Sequence, residues 1–82
     1  MEVHYTKHAQ RRLAKRQLRQ EWVERAVRFP MRIEPDNCDA DLEHRLACLP
    51  ELANRVLRVI VSKDEPRRVV TAYLDHTMKG KV

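Results

Sequence analysis

His8, Arg12 and Arg16 recur every four residues, a spacing that sets them along one ridge of a helix. A histidine, with an ordinary pKa of about 6.5, gives or takes a proton near neutrality, and two guanidiniums grip phosphate oxygens in pairs. RNA cleavage without a metal asks for that combination. It needs a base for the 2′-hydroxyl, cations for the pentavalent phosphate and an acid for the 5′-oxygen. Taken singly, each residue has a plainer reading. A histidine near a helix start is commonly exposed or at the cap, and arginines on a helix are commonly solvated surface. Arg11 and Lys15 lie in the same segment and add to its positive charge.

The elements that must position this ridge follow from periodicity. Val3 and Tyr5 alternate with Glu2 and His4, which predicts a short strand, and Thr6 then reads as a helix N-cap. Ala9 and Leu13 share a core-facing stripe of a helix from Lys7 to Arg16. A second helix over Gln20 to Arg28 presents Trp22, Val23, Ala26 and Val27 as its apolar face, and Pro30 ends it. The link at Gln17, Leu18 and Arg19 has no Gly, Ser or Asn to favour a turn, so one continuous bent helix is the alternative. Short strands are expected at Met31 to Glu34 and Leu42 to Leu49, with a polar loop over Pro35 to Asp41. Arg55 to Val61 gives the strongest strand signal, with Leu57, Val59 and Val61 opposite Val56, Arg58 and Ile60. After a hairpin loop, Arg67 to Leu74 places Val70, Ala72 and Leu74 opposite Val69, Thr71 and Tyr73. The fold class is α+β: two N-terminal helices on one face of a mostly antiparallel sheet of about four strands. Residues 1–75 form a single domain, and 76–82 a basic tail expected to fray unless a partner orders it.

Composition narrows the partner. The net charge of +5 is divided by region: eight Lys/Arg against three acids in residues 1–29, two against six in 30–54, and seven against three in 55–82. Basic ends that flank an acidic middle favour a polyanion or an acidic protein, or simply keep a small domain in solution. No apolar run reaches the roughly 18 residues of a membrane span, and the start lacks a signal-peptide core, so a cytoplasmic protein is expected. Cys38 and Cys48 are expected to be reduced thiols. Cys38, His44 and Cys48 match no common zinc spacing, and neither a Walker loop nor a nucleophile elbow is present, so no metal or cofactor is expected. His44 and Arg45 must face opposite sides of their strand, so only one can join a site on the sheet. The sequence does not choose between a monomer and a homodimer paired through an edge strand or through opposite charges.

The order His8-Ala9, Arg12, Arg16, then Glu21-Trp22-Val23, then Arg55-Val56-Leu57-Arg58-Val59, then Val69-Val70-Thr71-Ala72-Tyr73 resembles the bacterial domain of unknown function 4258 family. More distantly it is similar to the RelE/ParE-like and BrnT-like toxin folds. The resemblance runs from about Val3 to about Asp75. It departs from the family near Gln17 and Arg19, where relatives tend to carry Gly and a Ser or Thr.

The resemblance implies a RelE-like layer fold and a toxin-type, metal-independent endoribonuclease, or an inactive relative that binds RNA or a ribosome, opposed by an acidic antitoxin. It implies that the sheet completes a concave site beside His8 and Arg12 with Arg58, Thr71 and Tyr73, and that His76 is a second candidate acid. Arg11, Arg12, Lys15, Arg16 and Arg58 would hold RNA phosphates. The alternative is a non-catalytic module that docks an acidic protein or nucleic acid.

Overall fold

A computed structural model describes residues 3–78 and 80. Strand β1 (Val3–Tyr5) leads into helices α1 (Lys7–Lys15) and α2 (Gln20–Arg28), followed by strands β2 (Arg32–Pro35), β3 (Leu42–Leu49), β4 (Arg55–Ser62) and β5 (Arg67–Asp75). Short 3-10 turns at Pro50–Leu52 and His76–Met78 follow β3 and β5. The segment expected to fray from His76 thus begins as an ordered turn, in which Asp75 accepts from the Thr77 N–H and hydroxyl. Lys79, Lys81 and Val82 of that tail lie outside the described residues.

Both ends of α1 are closed by specific bonds. The Thr6 hydroxyl accepts from the Ala9 N–H at 3.0 Å and donates to the Val69 carbonyl at 3.2 Å, so one residue caps the helix and ties it to β5. At the other end the Leu18 N–H reaches the Leu13 carbonyl and the Gln17 N–H reaches that of Ala14, with Gln17 at φ 56°. This is a Schellman closure, and Leu13 and Leu18 supply its apolar contact. The helices are therefore separate, although the position that favours Gly carries Gln.

The sheet order is β1-β5-β4-β3-β2, with β1 parallel to β5 and the other pairs antiparallel. Five strands in a mixed sheet replace the expected four or so, because three residues of β1 suffice to join the edge of β5. Both helices lie on one face, where Ala9, Leu13, Leu18, Trp22, Val23, Ala26 and Val27 bury against Ala47, Leu49, Leu57, Val59, Val61, Val69 and Ala72. Strict alternation predicted Val69 on the side of Thr71 and Tyr73. Instead Val70 bulges between the pairs Val61↔Val69 and Ile60↔Thr71, so Val69 and Ala72 both face the helices while Thr71 and Tyr73 face away. Among the described residues the opposite face carries no α-helix, yet Leu46 and Val56 on it are fully buried, shielded by the long side chains around them. No helix among the described residues is long and apolar enough to cross a membrane.

Candidate nucleic-acid interface

The sequence of α1 contains no acid, and none of Lys7, His8, Arg11, Arg12, Lys15 or Arg16 forms a salt bridge among the described residues. Elsewhere the arginines are largely matched: Arg19 with Glu21, Arg25 with Glu51, Arg28 with Glu24, Arg45 with Glu43, Arg68 with Asp64. Ala9 and Leu13 turn one side of α1 into the core and leave His8, Arg11 and Lys15 exposed, with Arg12 half-buried. The result is a solvent-facing row of positive charge with nothing of opposite sign on its own element.

Arg16 joins this row to the sheet. Beyond Val69, the outer edge of β5 has no strand partner among the described residues, since β1 pairs only with Arg67, Arg68 and Val69. The Arg16 Nη1 donates to the Ala72 carbonyl at 2.7 Å along that edge, and its guanidinium lies 5.9 Å from the centroid of the Tyr73 ring. A cation over an aromatic face at this range is attracted by the ring quadrupole. Arg16 and Tyr73 are thus brought together, although they start on different layers.

Arg58 meets a different environment on the helix-free face. Cross-strand pairing sets Arg32, Leu46, Arg58 and Tyr73 in one row and Glu34, His44, Ile60 and Thr71 in the next. The Arg58 Nε donates to Asp75 at 2.8 Å, and its Nη1 donates to Glu34 at 2.9 Å and to His44 Nδ1 at 2.8 Å. Arginine has no acceptor, so Nδ1 of His44 accepts and its Nε2–H donates to Asp36 at 2.6 Å. Both nitrogens of the ring are then engaged, with the proton held on the Asp36 side. The carboxyl of Glu34 is pulled below its usual range by the Arg58 hydrogen bond. His44, then the Cys38 and Asp39 N–H groups, do the same for Asp36. The Thr77 hydroxyl does so for Asp75, against burial and with help from Arg58. With its carboxylates ionised, Arg58 is bonded on both edges, and a phosphate would have to displace one of them.

These positions sort the candidate residues. Tyr73 touches both neighbourhoods, beside Arg58 in register and under Arg16. Thr71 is half-buried one row further along β5. His8 and Arg12 sit on the helix side of the sheet and Arg58 on the other, so these three do not converge in one cleft. His76 is exposed in the turn after β5, its Nε2 3.3 Å from Arg55 Nη2. His44 and Arg45 do face opposite ways: Arg45 points to the helices and donates to the Val27 carbonyl at 2.6 Å. Sequence reasoning passed over Glu34, Asp36 and Asp75. Their signal was parity, because Arg32, Glu34 and Asp36 are two apart, as are Tyr73 and Asp75. No group of metal-ligating side chains is present among the described residues.

Comparison with known proteins agrees with the sequence resemblance. The profile described as "Domain of unknown function (DUF4258)" matches residues 5–74. No curated protein and no solved structure matches the chain at a significant level. With the match running from Tyr5, the last residue of β1, to Leu74 in β5, across both helices and the three strands between β1 and β5, the chain belongs to the DUF4258 family.

Proposed function

We propose that the protein binds single-stranded RNA along α1, as a relative of the toxin-type ribonucleases. The observation that carries this reading is the row of unmatched cations on an acid-free helix, in a chain whose other arginines are mostly paired. Arg11, Arg12 and Lys15 would hold successive phosphates, and the Tyr73 ring beside Arg16 offers a surface on which a base can stack. Binding of an 8–12-nucleotide RNA, followed by fluorescence anisotropy, should weaken steeply with salt. About four phosphate contacts on a single strand give a log–log slope of roughly −3. Tyr73→Leu should weaken binding severalfold and Tyr73→Phe should not. No binding at low salt, or binding without salt dependence, overturns the reading. Preference for an acidic polypeptide over RNA would replace it with the protein-docking alternative.

Cleavage is the second reading, and one observation favours it. His8 is exposed and makes no hydrogen bond among the described residues, whereas His44 and His76 are engaged. The His8 ring would take the 2′-hydroxyl proton as that oxygen attacks phosphorus. The P–O5′ bond would break, the 5′-oxygen would take a proton from solvent water, and a 2′,3′-cyclic phosphate would remain. Arg12 and Arg16 would stabilise the charge on the phosphate. Cleavage in EDTA that disappears in His8→Ala, with RNA affinity retained, supports this step. Binding without any cleavage in the parent chain rejects it.

A further inference from the structure

The large apolar side chains exposed among the described residues are three, and they fall together: Phe29 at 74 %, Met31 at 60 % and Ile33 at 52 %. They follow one another from the end of α2 into β2, the strand at the far edge of the sheet from α1 and β5. The main chain there is open as well. Asp36 donates its N–H to the Leu42 carbonyl at 3.4 Å, continuing the β2–β3 register by one residue. In an antiparallel pair such bonds alternate, so Arg32 and Glu34 turn their main chain toward β3, and Ile33 and Pro35 turn theirs outward. Proline is tolerated in β2 for this reason, since the N–H it lacks would have pointed away from the sheet. Ile33 therefore presents, among the described residues, an unpartnered N–H and C=O beside its own exposed side chain.

We infer that this edge pairs with β2 of a second copy of the chain, antiparallel and centred on Ile33. Two-fold symmetry at that residue makes a closely bonded pair, in which each Ile33 N–H donates to the Ile33 carbonyl of the other copy. The same register sets Arg32 opposite Glu34 of the second copy and Glu34 opposite its Arg32, an opposite-charge pair on both sides of the axis. The charge pattern of β2 is thus self-complementary at this register, whereas the neighbouring registers that also use the outward N–H set Arg32 opposite Arg32 or Glu34 opposite Glu34. Arg32 already bonds Glu34 of its own chain at 2.8 Å, and Glu34 bonds Arg58, so pairing continues the ionic network of the helix-free face from one copy into the next. On the helix side, where Arg45 opposite Ile33 also points, the two exposed Ile33 side chains meet at the axis and leave water. The joined sheet has ten strands. With strands about 4.8 Å apart, the two β5 edges stand roughly 34 Å apart at its outer ends, and both α1 surfaces stay free.

The test is sedimentation velocity on the full chain from about 1 to 500 µM, with the variants Ile33→Asp and Arg32→Glu. The expected result is a reversible monomer–dimer equilibrium. Arg32→Glu should weaken it at least tenfold, and Ile33→Asp should leave a folded monomer by circular dichroism. A chain that stays monomeric throughout overturns the inference, as does a dimer that survives Ile33→Asp. So does a monomer that pairs through Ile33 only with a different protein. Should Ile33→Asp not fold, Ile33→Cys in a Cys38→Ser, Cys48→Ser background decides. The two sulfurs at a closely bonded pair, Cα atoms about 5.5 Å apart, should cross-link rapidly under mild oxidation. Cross-linking no faster than that of Asn37→Cys in the same background overturns the inference.

Discussion

Two arginine-bearing regions lie within one small domain and are built in opposite ways. Along α1 the cations have no carboxylate on their own element, and of the row only Arg16, at the helix end, is tied to the sheet, through the Ala72 carbonyl. Around Arg58, by contrast, Glu34 and Asp75 take the guanidinium, His44 shares one of its nitrogens, and Asp36 fixes His44. The side chains of that cluster are largely removed from water, Arg58 being 11 % and Asp75 12 % exposed. The same residue type is a free charge in one place and a structural tie in the other. Counting arginines in the sequence cannot separate the two, because the difference lies in what faces them.

The largest expected effect tests the free region. Arg11→Glu with Lys15→Glu should lower RNA affinity on the order of 100-fold and reduce the salt slope, with little change in thermal stability. Equal affinity would erase the distinction between the regions. The next test inverts the readouts. Arg58→Met leaves Glu34 and Asp75 without their partner in a mostly buried setting. It should cost about 2 kcal/mol in denaturant unfolding while RNA affinity stays within about twofold.

Acid sharpens the contrast. Glu34, Asp36 and Asp75 all titrate lower in the folded chain than carboxyls ordinarily do. At a pH near 4 the unfolded chain therefore binds more protons than the folded one. The stabilisation is complete above the usual carboxyl range and is lost as pH falls through the lowered folded values. Unfolding free energy should fall below about pH 4, and Asp75→Asn should flatten that fall. RNA binding by α1, which has no carboxyl of its own, should not follow that titration while the chain stays folded. The smallest expected effect concerns the joint that ends α1. Gln17→Gly relieves a left-handed residue and should add about 0.5–1 kcal/mol of stability with RNA affinity unchanged, checked by the shift in the urea midpoint.

Much of this fold is legible in the sequence because its signals are local. The apolar faces of both helices, the Thr6 cap and the alternation of β3 and β4 each follow from residues within a few positions of one another. The bulge at Val70 is not legible that way, since it depends on which residue of β5 stands opposite Ile60 and Val61. Nor is the closure at Gln17, where the turn is made without the residue that ordinarily announces it. Among the site residues, the ridge His8, Arg12, Arg16 follows from spacing alone. The engagement of Arg58 depends on acids 24 and 17 residues away in sequence. A strand's period gives the side on which a charge lies, but its neighbour on the next strand is set by register.

The bond from Arg16 to the Ala72 carbonyl has a consequence for how the protein behaves in concentrated solution. Past Val69 the border of β5 is a bare main-chain template of the kind that recruits foreign strands and seeds fibrils. The guanidinium answers one of its acceptors and brings a charge that a hydrophobic strand could approach only by burying it. Arg16 is in that sense a gatekeeper of that edge. A variant that loses it would be less durable in storage, clouding on prolonged incubation before any loss of folding stability is measured.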